Sequence, residues 1–308
     1  MEPVLAAELA SLGLGARAVP GGAEAEGEDA AAWACLASRA AETVLLRLWE
    51  GDAKDLAAGR RAARRAAGAR AELRVRRDGA RATLSVDAAG EPLFRRGWRA
   101  RVGAAPLRES LAAAILLACG FDGERPFLDP MCGSGTLAIE AALIAGRRAP
   151  GLGRSFAFEE LPGHDPARTA RLRADLARRA RATSAPIHAS DRNAGALRLA
   201  RKNAEAAGVG QAIRLAREDA AGVVPPPGQG LCAVNPPWGV RLDEAAAESW
   251  RALAALLPRL AGWDVAVLGP DRGYERLLPA PPASATPVLN GGRACRLLRY
   301  RPAREGLP

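Results

Sequence analysis

Apolar residues recur along this chain with two periods, and the balance between them changes about a third of the way through. Pro3–Leu14 and Glu28–Ala41 carry the patterning of amphipathic helices, Thr43–Trp49 reads as a strand, and Ala71–Arg76 with Arg81–Val86 read as alternating strands about a turn at Asp78-Gly79. Beyond residue 95 come short apolar runs at Phe127–Asp129, Ile187–Ser190, Ala212–Leu215, Leu231–Val234 and Val265–Leu268, separated by alanine-rich segments of helical composition. Strand-like and helical segments in alternation predict a doubly wound, mostly parallel sheet. Thr286–Leu289 and Ala294–Tyr300, joined by Asn290-Gly-Gly292, predict an antiparallel hairpin at the sheet edge. The pattern therefore predicts a small α+β unit over residues 1–95 and an α/β unit over residues 96–308. Gly21–Gly27 reads as a flexible loop, and Pro225-Pro-Pro-Gly228 as a break before a strand. Arg147–Asp165 is too long for an ordinary link between helices. Its Phe156, Phe158 and His164 are expected either to close over a pocket or to pack on one another.

Composition adds two points. A length of 308 residues suits two domains. Only Lys54 and Lys202 are lysines, so the net charge of +10 is carried almost wholly by arginine. Thirteen arginines against five acids lie between Asp55 and Arg101, and ten basic residues against two acids between Pro166 and Lys202. These runs predict either surfaces for a phosphate backbone or solvated helix faces. The five cysteines, at 35, 119, 132, 232 and 295, form no C-x-x-C pair, and only His164 and His188 could join them as ligands. No metal site is expected, and reduced thiols in a cytoplasmic protein are. The longest apolar run, around Leu111–Cys119, is too short to span a bilayer, and residue 1 onward lacks the pattern of a secretion signal.

The chemistry concentrates in two motifs. Phe127-Leu-Asp-Pro-Met-Cys-Gly-Ser-Gly-Thr136 reads as a strand, a glycine turn and a helix start. Such a turn lets backbone approach a ligand and aims free N–H groups at it, predicting a nucleotide-like cofactor. Gly133-Ser-Gly135-Thr-Leu-Ala138 also satisfies the dinucleotide-binding pattern. Two details favour S-adenosylmethionine instead. Asp129 at the strand end would repel a pyrophosphate but attract an ammonium. The ribose-binding acid expected about 20 residues past a dinucleotide turn has its best candidate in Asp191, 58 residues past Gly133. The second motif, Val234-Asn-Pro-Pro-Trp238, offers the carboxamide oxygen of Asn235 and a proline-locked carbonyl in the Pro236-Pro237 segment as neutral acceptors for the N–H groups of an aromatic amine, and the Trp238 ring for base stacking. Cys132 in the turn is read as a small buried residue rather than a nucleophile.

From Leu93 to Tyr300 the chain resembles the bacterial large-subunit ribosomal RNA guanine-N2 methyltransferases that carry an N-terminal THUMP module, within the Rossmann-like class I S-adenosylmethionine-dependent superfamily. The resemblance rests on Arg96-Gly-Trp-Arg99, Ala105-Pro-Leu-Arg-Glu-Ser-Leu-Ala112, Leu128–Thr136, Ala149-Pro-Gly-Leu152, Gly163-His-Asp165 and Asn235-Pro-Pro-Trp-Gly-Val-Arg-Leu242. It implies that Asp129, Pro130, Gly133, Gly135 and Thr136 cradle the methionine end of the cofactor. Asp191, with Arg192 beside it, would hold the ribose, Asp219 would meet the adenine, and the segment of Pro106, Glu109 and Ser110 would close over the cofactor carboxylate. Asn235, Pro236, Pro237 and Trp238 would clamp the target base; tyrosine is more usual than tryptophan at the last position. The implied protein is a cytoplasmic, monomeric methyltransferase acting on ribosomal RNA, with residues 1–95 a shortened ferredoxin-like and THUMP-like RNA-binding domain. Adenine-N6 methylation of RNA or DNA, methylation of a glutamine amide in a protein, and a catalytically idle RNA-binding or assembly protein are the alternatives.

Overall fold

In the computed structural model, which describes residues 1–69, 71–99, 107–237, 244–270 and 273–301, the first hundred residues supply two small sheets and three helices. Helix α1 (Glu2–Ser11) leads into the hairpin β1 (Gly15–Val19) and β2 (Gly22–Glu26). The segment expected as a flexible loop is thus largely strand. Its alternation of small and acidic residues hid a period-two pattern, and the Pro20-Gly21 turn, with Gly21 at φ +84, closes it. Helix α2 (Ala30–Ala37) follows, then β3 (Leu45–Asp52), α3 (Leu56–Ala67), β4 (Arg74–Asp78) and β5 (Arg81–Asp87), with the strands ordered β3-β5-β4, all antiparallel. Helix α3 buries Gly59, Ala63 and Ala67, one residue every four, so the indole of Trp49 can lie where a side chain at Gly59 would clash at 2.5 Å.

The second half begins with α4 (Glu109–Ala118), β6 (Phe127–Asp129) and α5 (Thr136–Ala145), continues through α6 (Pro166–Arg178), β7 (Ile187–Asp191), α7 (Ala194–Ala206), β8 (Ile213–Arg217), β9 (Leu231–Val234), α8 (Glu244–Leu256) and β10 (Asp264–Pro270), and ends with β11 (Ser284–Asn290) and β12 (Arg293–Tyr300). The seven strands are ordered β11-β12-β10-β9-β6-β7-β8. The five strands from β10 to β8 run parallel, and β12 and β11 are antiparallel additions. This is the expected doubly wound sheet with its terminal hairpin. Every residue of α5 is buried, as befits a helix enclosed on all sides. The Asp165 carboxylate caps α6 by accepting the N–H groups of Ala167 and Arg168, and Asn193 caps α7 in the same way, accepting from Gly195 and Ala196.

Two compact units result. One comprises Glu2–Arg96 together with Ala149–Arg179, and the other is built on Gly97–Arg148 and the chain from Ala180 onward. Ala149–Arg179, read from sequence as part of the second half, packs with the first. Phe156, Phe158 and Leu176 are buried in one cluster with Leu36, Ala88 and Leu93. Gly151 donates its N–H to the Leu36 carbonyl, in a contact so close that a Cβ there would lie 2.5 Å from the Cys35 oxygen. The two phenyl rings stack at 5.9 Å, and His164 meets Phe158 edge-on at 5.6 Å. The two phenylalanines are core residues of that unit and not a lid, and the half-buried His164 packs against Phe158.

Candidate active site

Strands β6 and β9 are neighbours, yet the chain leaves β6 toward β7 and β8 and leaves β9 toward β10. Their C-terminal loops diverge at this reversal, which opens a crevice at the C-terminal ends of these central strands, where ligands bind in folds of this kind. The loop after β6 is the glycine turn. Gly133 has φ +52 and Gly135 φ +85, conformations that a side chain resists. Gly135 also faces Ala200 closely enough that a Cβ would lie 3.1 Å from that methyl, whereas the space beside Gly133 is open. The turn is held from behind by the buried Asn203, whose amide donates to the Ser134 carbonyl at 3.0 Å.

Around this turn the predicted acids take distinct positions. The Asp191 carboxylate, at the end of β7, accepts the N–H of Gly133 at 2.9 Å and that of Asn193 at 2.8 Å, which fixes its orientation at the rim. Asp191, Arg192, Asp219, Pro130, Gly133, Asn235, Pro236 and Pro237 all line one cavity of about 390 Å³. Arg192 is ion-paired with Glu248 at 3.1 Å and approaches Asp219 at 4.0 Å. Asp129 lies deeper. It is 1 % exposed and lines a second cavity of about 200 Å³ with Gly133, Thr136 and Asn235. Burial holds its carboxyl well above the usual carboxylate range, opposed by the Met131 N–H and reinforced by Asp191. A buried carboxyl whose charged form is costly gains from a cation placed beside it, because the pairing favours the ionised form.

Asn235 lines both cavities, so the amide motif and the glycine turn share one space. The loop is braced from the protein interior. The indole of the fully buried Trp250 donates to the Pro237 carbonyl at 3.3 Å and stacks on Tyr274 at 5.4 Å, and Gly269 leaves room for the ring. The Pro237 oxygen is thus engaged from the interior, and Pro236 lines the larger cavity. Trp238 and Pro106, both expected in the site, lie outside the described residues.

Glu109 and Ser110 are buried at the start of α4 but line neither cavity. The Glu109 carboxylate accepts from the Arg99 guanidinium at 2.9 Å, and the same guanidinium donates to the Leu107 carbonyl at 2.9 Å and to the Thr136 hydroxyl at 3.0 Å. Arg99 therefore ties the α4 start to the first residue of α5. Glu109 is thereby joined to the start of the glycine-turn helix through Arg99. Arg99 was visible in sequence only as part of a motif, because nothing local reveals that its partners are ten and thirty-seven residues away.

Sequence reasoning also missed Asn290 and Arg293, which the terminal hairpin brings to the larger cavity, and Asn193, whose signal is its helix-capping position. Cys132 is buried, and burial pushes its thiol up, away from the thiolate a nucleophile would need. Among the described residues no group of three or more His, Cys, Asp or Glu side chains could hold a metal, and no helix is long and apolar enough to cross a membrane.

A glycine turn at the switch point of a mostly parallel sheet, with an Asn-Pro-Pro loop on the adjoining strand and an antiparallel terminal hairpin, defines a Rossmann-like methyltransferase fold. Residues 96–297 match the RMKL-like methyltransferase domain, and residues 1–45 match the RlmL ferredoxin-like domain. The chain belongs to the RMKL-like methyltransferase-domain family. It is 43 % identical over 180 residues to the ribosomal RNA large subunit methyltransferase K/L of Vibrio campbellii, covering 56 % of this chain and 25 % of that protein. The chain thus spans about a quarter of the length of this curated relative. A structure described as a predicted N6-adenine-specific DNA methylase from Listeria monocytogenes shares 26 % identity over 97 % of this chain and 93 % of its own, with TM-score 0.86. The crystal structure of SMU.472 complexed with SAH shares the fold at TM-score 0.86 and 24 % identity, covering 98 % of this chain and 96 % of that one.

Proposed function

We propose that this protein transfers a methyl group from S-adenosylmethionine to the exocyclic N2 of a guanine in large-subunit ribosomal RNA. The observation that carries the reading is that Asn235 lines the same space as the Gly133 turn and the buried Asp129. The residues fit the cofactor. Asp129 offers a carboxylate to an ammonium, Asp191 a carboxylate to vicinal hydroxyls, and Gly133 open wall at positive φ where backbone can approach. When bound, S-adenosylmethionine supplies an electrophilic methyl on a sulfonium and leaves as S-adenosylhomocysteine.

The protein's own contribution is positional. The amine lone pair of a base is delocalised into the ring, and the Asn235 Oδ1 and Pro236 carbonyl, accepting the two N–H groups, hold the nitrogen so that its lone pair faces the methyl. The nitrogen so held would take the methyl that S-adenosylmethionine supplies, the C–S electron pair leaving with S-adenosylhomocysteine. The nitrogen, briefly cationic, gives its proton to water, so no strong base is needed. Drawing the base from its stack would place it against these acceptors. The ribosomal substrate and guanine N2 rest on the Vibrio relative and on the family resemblance. Adenine N6 is the second reading, favoured by the description of the Listeria structure.

Nucleoside mass spectrometry of ribosomal RNA from cells with and without the gene tests the reading: N2-methylguanosine is expected to fall in its absence. Asn235→Ala is expected to lower turnover by about a hundredfold or more, the scale of losing one polar stabiliser, while S-adenosylmethionine affinity stays within a few-fold. Equal loss of both would reassign Asn235 to the cofactor. Loss of N6-methyladenosine instead would establish the second reading.

A further inference from the structure

The hairpin of β11 and β12 is turned by Gly291 and Gly292, at φ +59 and +86, the two positive dihedrals of a type I′ turn. Asn290 and Arg293 face one another directly across it. Cross-strand partners project to the same face of a hairpin, and both residues line the cavity that contains Asn235 and Pro236. Their register explains how they arrive there. Strand β12 is antiparallel to β10, pairing Cys295 with Pro270, so the hairpin tip stands at the C-terminal end of the parallel strands, the end that carries the site. Asn290 is 6 % exposed although Leu289 beside it is 67 % exposed. Its Oδ1 accepts the Arg108 N–H at 3.4 Å, which fixes the amide so that its remaining group is a donor NH2. The Arg293 side chain is exposed and makes no ion pair with a described residue.

Resting on the proposed methyl transfer to a purine amine, we infer that Asn290 and Arg293 are the residues that select guanine. The cavity then has two chemically opposite walls. Asn235 and Pro236 present acceptors to the amine that is methylated, and the hairpin tip presents only donors. Guanine matches both, with N2–H groups at one end of its pairing edge and the O6 acceptor at the other, N7 lying next to O6 around the ring. Arginine and amide donors reading such acceptors are the usual form of purine discrimination. Adenine, with its single amine on the acceptor wall, has no carbonyl to give the hairpin and leaves the buried Asn290 amide donor unpaired.

The test uses the whole protein and a synthetic RNA hairpin bearing, at the position mapped by mass spectrometry, guanine or 2,6-diaminopurine. The second base keeps the 2-amine but carries NH2 in place of O6. Wild type is expected to favour guanine in kcat/KM by about 5- to 150-fold, the range of one good base contact. Asn290→Asp keeps an oxygen for the Arg108 N–H but offers an acceptor to the 6-amine, and is expected to narrow that ratio at least about tenfold or to invert it. Arg293→Gln is expected to lower kcat/KM for guanine while S-adenosylmethionine affinity stays within a few-fold. Thermal melting of both variants within a few degrees of wild type separates these effects from misfolding. If wild type methylates guanine N2 but neither variant moves the ratio, or if both variants lose cofactor affinity instead, the hairpin assignment is overturned and the methyl-transfer reading stands. If wild type modifies neither 2-amine, the proposed function itself has failed.

Discussion

Charge is used in opposite ways in the two units. In the methyltransferase unit the telling charges are buried: Arg99 and Glu109 pair with side chains 9 % and 5 % exposed, and Asp129 lies under the cavity. In the N-terminal unit they are on the surface. Arg17, Arg47, Arg74 and Arg81 are engaged with Glu24, Glu50 and Asp87, whereas Arg60, Arg61, Arg64 and Arg65 on α3 are exposed and make no ion pair with a described residue. Buried charge holds a shape because removing one partner strands the other without solvent. Exposed and unpaired charge contributes little to stability and remains available to a phosphate backbone.

The largest effect should come from breaking the buried pair. Arg99→Met leaves the Glu109 carboxylate uncompensated and is expected to cost about 3–5 kcal/mol. That corresponds to a fall of roughly 10 °C or more in Tm for a unit of this size, readable by calorimetry. A shift of only a degree or two would show that water replaces the guanidinium and that the bridge is not structural. Replacing Arg60, Arg61, Arg64 and Arg65 together by glutamine should do the reverse. Melting should stay within about 0.5 kcal/mol per site of wild type, while RNA affinity at low salt falls about 10- to 100-fold and the slope of log K against log salt becomes shallower by about 3. An unchanged slope would make these arginines a solvated face.

The smallest effect separates the two uses of charge at a single residue. Burial raises the Asp129 carboxyl above its ordinary value. Binding an ammonium requires the ionised form, so S-adenosylmethionine affinity should be greatest above that raised value and weaken as pH falls through it, by up to about tenfold per pH unit. The sign for stability is opposite: the ligand-free fold prefers the proton, is most stable below the unfolded value, and loses that contribution as pH rises through the folded one. Titration calorimetry across pH on wild type and Asp129→Asn checks both, and an equally steep profile in Asp129→Asn would remove Asp129 from cofactor binding.

Legibility also divided between the units. In the second half each predicted strand became a strand because the runs are short and apolar, with Phe127–Asp129, Leu231–Val234 and Val265–Leu268 fully buried, and the Asn290-Gly-Gly292 turn announced its hairpin. In the first half the alternation of β2 is written in alanine, glycine and glutamate, too weak a contrast to register as a strand. The α6 segment was misplaced because its helix signals, Asp165 and Pro166, say where a helix starts and nothing about what it packs on. The two basic runs were likewise expected as two surfaces, but α6 lies with α3 in one unit and α7 in the other.

The order of motifs in the chain was enough to determine the class of fold, the glycine turn and the acceptor loop, because each depends on residues adjacent in sequence whose dihedral and hydrogen-bonding capacities are intrinsic. Only the tertiary structure decided that Arg99 bridges Glu109 and Thr136, that Trp250 takes the Pro237 carbonyl, and that Asn290 and Arg293 reach the cavity. Those contacts join residues far apart in sequence, and strand order and register, which no local pattern encodes, bring them together.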